Sequence, residues 1–225
     1  ANTYIIYSKN HEYISTNSIV SQNYSQSENI IIKDKNFLLF SSNIDKYFKP
    51  ILTNIKLTIG GTKSNFQNIV NNSDLRTVIN SSFNYGFELR SSFKDFLNFN
   101  IGSKWEYNEV NTIFKNSYNE NNSFIDLYFI LNKKINFQLE TERYYNSNLD
   151  KKNNKYYFMD LELNYVPNKN KLSFSILANN LFNTKTFKNY LVDDVSISKT
   201  EYRLLPRYIL LKIDFRFWNL IKFVN

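Results

Sequence analysis

The segment Arg207–Phe217 (RYILLKIDFRF) decides the fold class of this chain. Its odd-numbered positions are Ile209, Leu211, Ile213, Phe215 and Phe217, and its even-numbered positions are Tyr208, Leu210, Lys212, Asp214 and Arg216. Because successive side chains of a strand point to opposite faces, this order creates one uniformly apolar face and one mostly polar face. A helix would scatter the same charges around its circumference. The segment therefore predicts a two-faced β-strand.

The same alternation recurs through the rest of the chain and predicts nine strands, or ten with the first residues. The clear cases are 51–61, 79–90, 97–108, 135–145 and 155–166, and the weaker ones are 36–48, 124–132 and 171–182. These runs match the ~9–11 residues of a tilted membrane strand and exceed the ~5–6 residues typical of soluble sheets. Residues 1–9 suit a further strand, whereas residues 10–34, rich in Ser, Asn and Gln, predict a loop or an imperfect hairpin.

The connections between these strands alternate in length. Links near 48–51, 91–96, 132–135 and 166–171 are short, and those at 62–76, 109–122, 146–154 and 183–204 are long. An antiparallel up-and-down sheet with one rim of short turns and one rim of long loops produces this order. Transmembrane barrels show this asymmetry, with short periplasmic turns and long extracellular loops. The pattern predicts an all-β, antiparallel up-and-down transmembrane β-barrel segment of about nine or ten strands.

Aromatic side chains gather near the predicted strand ends, as in the interfacial girdles of membrane barrels. The pairs are Tyr47 and Phe48, Trp105 and Tyr107, Tyr144 and Tyr145, Tyr156 and Tyr157, and Phe217 and Trp218. A soluble β-sandwich with a half-buried sheet would alternate with the same period, so this alternative stays open. Strand length and loop alternation favour the membrane barrel. No apolar run reaches the ~18 residues of a membrane-spanning helix.

The composition excludes several kinds of site. Cysteine is absent and His11 is the only histidine, which excludes a disulfide scaffold and a cysteine nucleophile and argues against a metal site. The 4 glycines of the 225-residue chain argue against a phosphate-cradling loop. The net charge of +8 says little about nucleic acid, because Asn, Lys, Ile, Phe and Tyr are in excess together, as expected from an AT-rich genome. We expect neither an enzyme nor a cofactor.

The C-terminal part of the chain resembles the TonB-dependent outer-membrane receptors. The segment 172–185 (LSFSILANNLFNTK) is similar to the penultimate strand of that family, which an Asn-Leu-Phe-Asn stretch closes. The corresponding residues here are Asn180, Leu181, Phe182 and Asn183. A long loop and a final strand from Tyr208 to Phe217 follow in the order found in the family. The resemblance covers about 170–217 and points to a branch that often has an N-terminal carboxypeptidase-regulatory-like domain.

The resemblance implies a location in the outer membrane of a Gram-negative bacterium and uptake of a scarce nutrient such as a siderophore, glycan or peptide. Family members have a plug domain, a TonB box and more strands, so we expect this chain to be the C-terminal part of such a barrel. The implied partners are outer-membrane lipid, the plug and N-terminal strands, TonB acting through the plug, the barrel assembly machinery and a surface lipoprotein. Nucleic acid is not an expected partner.

The expected organisation has three parts. Residues 1–34 are a poorly defined strand-and-loop segment, residues 35–217 are the transmembrane β-barrel strands, and residues 218–225 are a C-terminal extension. The resemblance also implies that Tyr208, Phe215 and Phe217 provide the terminal aromatic signal for the assembly machinery. The motif Asn180–Asn183 has an expected structural role, which is to close its strand at the outer rim.

Polar residues on the inward-facing side of the strands are expected to line the lumen. They are Glu88, Arg90, Lys104, Glu106, Glu140, Glu142, Asp160, Glu162, Lys212, Asp214 and Arg216. For any one of them, pairing with a neighbouring strand is the simpler interpretation. Binding residues concentrate on loops held by a rigid scaffold, so the long loops are the expected ligand surface. Asp193 and Asp194 lie in the longest loop, where a solvated pair is a simpler interpretation than a Ca²⁺ site.

Two other functions stay open on the sequence. Ten strands suffice for a small closed barrel, since bacterial barrels begin at eight strands. The chain could therefore be an autonomous outer-membrane barrel or a structural subunit of a larger outer-membrane complex. A binder of single-stranded nucleic acid would combine cationic grooves with stacking aromatic rings. Here the aromatic residues share a face with Ile and Leu and not with Lys and Arg, which argues against that function.

Overall fold

The computed structural model is all-β and describes residues 1–91, 96–167 and 172–215. Its strands are β1 (Asn2–Val20), β2 (Ser25–Phe48), β3 (Thr53–Val70), β4 (Arg76–Ser91), β5 (Leu97–Asn111), β6 (Lys115–Ile130), β7 (Ile135–Asn146), β8 (Lys155–Tyr165), β9 (Leu172–Asn179), β10 (Thr186–Val192), β11 (Ile197–Arg203) and β12 (Tyr208–Phe215). A short 3₁₀ turn at Lys49–Ile51 joins β2 to β3. Within the described ranges, no helix has the length and apolar character needed to cross a membrane.

Ten of these strands form one up-and-down sheet in the order β1-β2-β3-β4-β5-β6-β7-β8-β9-β12, and neighbours in this order are antiparallel. The remaining two strands, β10 and β11, form a separate hairpin between β9 and β12. The all-β fold and the antiparallel up-and-down sheet predicted from the sequence are therefore confirmed. Within the described residues β1 and β12 do not pair with each other, so the sheet has two free edges.

The register between strands sorts the side chains onto two faces. From β3 to β8, even-numbered residues pair with even-numbered residues, for example Lys56 with Glu88 and Asn100 with Asp126. Paired residues point to the same side of the sheet, so most charged and amide side chains in the middle of the strands collect on one side, the polar face, and most apolar ones on the other, the apolar face. The predicted lumen residues that the structure describes share the polar face: Glu88, Arg90, Lys104, Glu106, Glu140, Glu142, Asp160, Glu162, Lys212 and Asp214.

The central strands are longer than the alternation predicted. The strands β3, β4, β5 and β6 contain 18, 16, 15 and 16 residues. Turns at 71–75 and 112–114 connect them, so the predicted long loops at 62–76 and 109–122 are wrong. Backbone hydrogen bonds continue the ladder where the side chains are polar on both faces, and apolar periodicity alone does not detect such strand ends.

Residues 1–48 form a long hairpin where a poorly defined strand-and-loop segment was expected for 1–34. The strand β1 pairs with residues 25–43 of β2 in one register. Because β2 pairs with β3 only from Asn36 onward, the outer part of β1 reaches β3 directly. There the Tyr13 hydroxyl donates to the Gln67 carbonyl at 2.5 Å and accepts from the Gln67 N–H at 2.6 Å. The hairpin is held by backbone pairing and these contacts, so its sequence shows little alternation.

Asparagine occupies left-handed positions in the turns. Asn71 and Asn72 have φ values of 53° and 55° at the centre of the β3–β4 turn, and the Ser73 N–H donates to the Val70 carbonyl at 3.1 Å. A type I′ turn requires positive φ at both central residues, and Asn tolerates this conformation better than most residues. The glycines of the chain lie within strands and none has a positive φ.

The apolar face has two belts of aromatic side chains. The upper belt, toward the turns at 71–75 and 112–114, consists of Tyr85, Trp105, Tyr145 and Tyr157; the lower belt, at the opposite ends of the strands, consists of Phe129, Phe137, Tyr165 and Phe174. Tyr85 stacks on Trp105 with ring centroids 6.5 Å apart, and Phe129 stacks on Phe137 at 4.3 Å. Aliphatic residues such as Ile125, Leu139 and Leu161 fill much of the band between the belts.

Gly102 allows an aromatic ring to cover the sheet at the centre of β5. A Cβ atom placed on Gly102 would lie 2.6 Å from Cζ of Phe124 and 2.9 Å from the carbonyl oxygen of Phe87. Phe124 is the direct cross-strand partner of Gly102. A ring packed across a glycine shields its backbone from solvent and fixes the register at that point.

We expect Gly102→Ala to lower the thermal midpoint of the protein that contains this chain, measured in detergent by heat-modifiable migration on gels. The added methyl group meets backbone that cannot rotate away, and such overpacking typically costs about 1–3 kcal/mol. Gly60→Ala is the matched control, because its nearest neighbour is the Asn84 side-chain oxygen at 3.1 Å, which can move. Equal losses in the two variants would contradict this interpretation.

Candidate functional site beneath the folded-back hairpin

The motif Asn180–Asn183 forms the turn that ends β9. Asn180 and Asn183 adopt φ values of 52° and 56°, and the Asn183 N–H donates to the Asn180 carbonyl at 2.7 Å. The Asn180 N–H also donates to the Asp160 carboxylate at 2.6 Å, and the Leu181 N–H donates to the Met159 carbonyl at 2.8 Å. The turn is thus fixed to β8.

The same motif joins the two ends of the connection from β9 to β12. The side-chain amide of Asn180 donates to the Thr184 carbonyl at 2.8 Å and to the Leu205 carbonyl at 2.9 Å. The side-chain oxygen of Asn183 accepts from the Arg207 N–H at 3.2 Å. These bonds close a loop of residues 180–207, from which the β10–β11 hairpin projects as a unit.

The hairpin folds back over the polar face and packs on β7 and β8 at its base. The ring of Phe187 lies 5.5 Å from Tyr144, 5.0 Å from Tyr156 and 6.3 Å from Phe158, measured between centroids. These three neighbours are on the polar face of β7 and β8. The Lys188 N–H donates to the Tyr156 hydroxyl at 3.2 Å, which adds a polar contact to the ring cluster.

The tip of the hairpin reaches β3 and β4 at the other side of the polar face. Asp194 accepts from the Arg76 guanidinium at 2.7 Å and from the Asn68 amide at 2.5 Å. Arg76 also donates to the Asn68 side-chain oxygen at 2.8 Å, so the three side chains form one network. Asp193 instead accepts from the backbone N–H groups of Val195 and Ser196 within the tip. The two aspartates therefore face different partners and do not form a shared cation site.

A small apolar core lies between the hairpin and the sheet. Val192 of the hairpin packs with Val110 and Tyr118, and all three are buried. The ring of Tyr190 meets that of Tyr118 edge to face at 6.3 Å. Removal of these side chains from water stabilises the folded-back position, because each buried apolar side chain contributes about 1.5–3 kcal/mol. The hairpin is thereby held at its base, middle and tip.

A cavity of about 380 Å³ remains between the base of the hairpin and the polar face, and we call it the covered cavity. Strand residues from β3 to β8 contribute Thr58, Asn84, Lys104, Glu106, Glu120, Asn122, Tyr144, Asn146 and Tyr156, and the hairpin contributes Phe187, Lys188 and Asn189. The strand residues named here are even-numbered and lie on the polar face, and the cavity is also bordered by four odd-numbered residues between them, Tyr85, Trp105, Asn121 and Tyr145. A cavity of this size with aromatic walls and a few polar groups is typical of a small-molecule site.

The polar groups of the covered cavity are partly paired with one another. The Asn146 amide donates to Glu120 at 2.7 Å, the Asn122 amide donates to Glu142 at 2.8 Å, and Lys188 forms an ion pair with Glu201 at 3.1 Å. The side-chain oxygen of Asn122 is buried without a hydrogen-bond partner among the described residues. Such an acceptor is available to a bound molecule.

Of the predicted lumen residues that the structure describes, only Lys104 and Glu106 line the covered cavity. Glu88 forms ion pairs with Arg90 at 2.5 Å and Lys56 at 3.8 Å, and Lys212 pairs with Asp214 at 3.1 Å. A smaller depression of about 80 Å³ lies beside Glu140, Asp160 and Glu162. Glu142 supports Asn122 from the edge of the cavity. Arg216 falls outside the described residues.

The other sequence candidates lie away from this cavity. Tyr208 and Phe215 are the first and last residues of β12, on its polar and apolar face respectively, whereas Phe217 and the segment 218–225 lie outside the described residues. His11 is exposed and lies 3.5 Å from Asp34. The described part of the chain contains no cluster of three or more His, Cys, Asp or Glu residues that could hold a metal ion.

No pattern in the sequence indicates that the hairpin contributes to the site. Phe187, Lys188 and Asn189 lie in the predicted link 183–204, where strand alternation is too short to separate from a loop. The segment 183–204 is one of the long loops in which a ligand surface is expected, but the sequence does not predict that this segment folds back over the polar face. Glu120 and Asn122 fall within the predicted long loop at 109–122, so the sequence pattern does not place them on a strand face.

Comparison of the chain with protein-family models, with curated proteins and with solved structures finds no match. The assignment of a function therefore depends on the sequence pattern, on the two faces of the sheet and on the covered cavity.

We expect Asp194→Ala to release the tip of the hairpin and to speed tryptic cleavage after Lys199 and Arg203. The substitution removes two bonds to a charged acceptor and leaves Arg76 without its carboxylate partner, a loss of about 1.5–3 kcal/mol, or roughly tenfold to hundredfold in the opened population. Asp214→Ala removes an ion pair away from the hairpin and serves as the control. Unchanged cleavage in the Asp194 variant would show that the network does not hold the tip.

Proposed function

We propose that this chain forms β-barrel strands in the C-terminal part of a TonB-dependent outer-membrane receptor, which takes up a scarce nutrient. The apolar face is the lipid-facing surface of the barrel, and the polar face lines its lumen. In this proposal the folded-back hairpin is an extracellular loop that enters the lumen. The chain has no catalytic role.

The pair of aromatic belts on the apolar face is the observation that most supports this proposal. Phe137 and Tyr145 are eight residues apart on β7, as are Tyr157 and Tyr165 on β8. At the usual rise per residue this separation is about 26 Å along the strand. In an outer-membrane barrel the strands tilt by about 35–45°, so this length corresponds to roughly 20 Å across the membrane, which approaches the apolar band of about 25 Å between the two aromatic girdles. A soluble sandwich would bury its apolar face against a second sheet and has no need of two belts.

A cationic side chain, Arg143, lies close to this apolar band, beside the upper belt. Arg143 lies on the apolar face, where its guanidinium donates to the Asn121 side-chain oxygen at 2.8 Å and sits 6.0 Å from the ring centre of Tyr145. Asn121 is only 2% exposed and donates to Ser103 and to the Lys104 carbonyl. Long cationic side chains at such a depth extend their charge toward the membrane interface, so this residue is compatible with a lipid-facing surface.

The free edges of the sheet favour a larger barrel over a small autonomous one. Unpaired backbone groups are costly in hydrocarbon, so the edges at β1 and β12 each need a neighbouring strand. In the proposal the N-terminal strands of the receptor occupy these edges, and the plug fills the lumen. TonB acts through the plug, the barrel assembly machinery inserts the barrel, and a surface lipoprotein is a further partner at the extracellular rim.

We expect Leu139→Arg to reduce the amount of this protein assembled in the outer membrane. Leu139 lies within the apolar band and pairs with Leu127 and with Leu161, which is midway between the belt residues Tyr157 and Tyr165; an arginine at the midplane of a membrane barrel costs about 2–4 kcal/mol. The measurement is the heat-modifiable, detergent-extracted fraction of membranes from cells that express the whole protein.

Gln138→Arg is the matched control, because it adds the same charge one residue away on the polar face, opposite Glu162. We expect this variant to assemble at nearly the normal level. Equal assembly of both variants, or recovery of the unaltered protein in the soluble fraction without detergent, would refute the proposed membrane barrel.

A further inference from the structure

Two cationic side chains lie within the upper belt of the apolar face, on β7 and β8. Arg143 pairs with Tyr157, and Tyr145 pairs with Lys155, so two cations and two tyrosines alternate in a two-by-two arrangement that we call the basic block. The two cations occupy diagonal positions, about 7–8 Å apart, which long side chains can bridge. A single anionic group can therefore contact both of them.

We propose that the basic block binds the phosphate of an anionic lipid whose hydrocarbon chains lie along the apolar face below it. This inference rests on the proposed function, because it requires the apolar face to contact lipid. It adds to the general contact of a barrel with the membrane one defined site and one head-group chemistry.

Arg143 is held in position by a buried asparagine. Asn121 is only 2% exposed, and its side-chain oxygen accepts from the Arg143 guanidinium at 2.8 Å and from the Ser123 hydroxyl at 3.0 Å. The amide of Asn121 donates to the Ser103 hydroxyl at 3.0 Å, which fixes its orientation. A guanidinium has five N–H donors in one plane, and the bond to Asn121 uses one of them. The remaining donors form a fixed fork that can bind two phosphate oxygens at once.

Arg143 and Lys155 have no counter-charge within the described chain. From β3 to β8, Arg143 is the only charged residue described on the apolar face below the row that contains Tyr85, Trp105 and Tyr145. No described carboxylate forms an ion pair with Arg143 or Lys155. A charged residue on a lipid-facing surface is costly and commonly marks a function that involves a partner of opposite charge. The missing counter-charge points to an anion from outside the chain.

The chain around the basic block has an excess of positive charge. Residues 143–159 contain a single carboxylate, Asp150, and four cations, which are Arg143, Lys151, Lys152 and Lys155. Another cation on the same face, Lys115, is already paired with Glu109 at 2.9 Å. Clusters of cations at the edge of a membrane attract anionic lipids. The charge therefore favours an anionic head group over a zwitterionic one.

The surface below the basic block suits the hydrocarbon part of a lipid. Met159, Leu139 and Leu161 follow on the apolar face toward the lower belt. Beside the block, the ring of Phe182 is 57% exposed and lies 6.3 Å from the ring of Tyr157. Free phosphate would leave this apolar surface without a partner, and so would an acidic protein segment. A lipid matches both the cations and the apolar surface.

Native mass spectrometry of the purified whole protein in detergent tests this inference with dioleoylphosphatidylglycerol, dioleoylphosphatidylcholine and inorganic phosphate. The two lipids have the same chains and the same phosphodiester, and only phosphatidylcholine has a cation that cancels the charge. At equal concentrations we expect at least about fivefold more bound phosphatidylglycerol than phosphatidylcholine. Equal binding of the two lipids, or displacement of phosphatidylglycerol by an equal concentration of inorganic phosphate, would overturn the proposal.

Arg143→Gln and Lys155→Gln test the position of the site. We expect each substitution to weaken phosphatidylglycerol binding about fivefold, because each removes one cation from the phosphate. Lys155 is exposed and forms no ion pair with a described residue, so its variant keeps the test valid if Arg143→Gln lowers stability.

Lys115→Gln is the matched control, because it removes the same charge from the same face at a residue that Glu109 already neutralises. We expect it to change phosphatidylglycerol binding less than about twofold. Equal effects of all three variants, or an unchanged affinity in Lys155→Gln, would contradict the assignment of the site.

The outcome is separable from that of the proposed function. A protein that needs detergent for extraction but binds both lipids equally would reject the lipid site and leave the receptor proposal in place. A protein recovered in the soluble fraction that still prefers phosphatidylglycerol, and loses this preference in Lys155→Gln, would keep the site and reject the barrel.

Discussion

The cross-strand register of the ten-stranded sheet is the constraint on which the rest of the structure depends. Because side chains alternate with a period of two, a slip of one residue between any two strands would transfer polar residues to the apolar face. The pairs Lys56 with Glu88, Asn122 with Tyr144 and Gln138 with Glu162 all preserve the polar face. The ring of Phe124 covers Gly102, its cross-strand partner, and only a residue without a side chain leaves room for the ring in this register.

The folded-back hairpin converts this extended polar face into a site. An isolated two-stranded hairpin is marginally stable, so its position depends on contacts with the sheet. Phe187 meets the rings of β7 and β8 at one end, and Asp194 meets Arg76 of β4 at the other. The hairpin thus spans the strands from β3 to β8 and closes the covered cavity at its base. The covered cavity exists only when the hairpin is folded back onto the sheet, because Phe187 at the base of the hairpin forms part of the cavity wall.

Asparagine is abundant in this chain, and several of its asparagines have a structural role. The glycines lie in strands, where two of them accommodate a nearby aromatic ring, Gly61 beneath Phe40 and Gly102 beneath Phe124. The left-handed turn positions that glycine commonly fills are instead taken by Asn71, Asn72 and the asparagines of the β9 turn. The attribution of the asparagine excess to base composition is therefore incomplete, since these side chains also form the turns and the bonds that close the hairpin loop.

The amino-acid sequence by itself determined the all-β class, the antiparallel order and the polar face, because alternation over segments such as 155–166 depends only on local side-chain direction. The sequence pattern does not predict the full length of the outer strand ends or the hairpin of residues 1–48. In these segments polar residues pair through backbone hydrogen bonds, so the apolar alternation that identifies a strand is missing. The alternation places Lys104 and Glu106 on the polar face, but it does not predict that Glu120, Asn122 and Phe187 lie around the same cavity. Only the tertiary structure decided that link, because residues more than 60 positions apart meet through the folding of the hairpin onto the sheet.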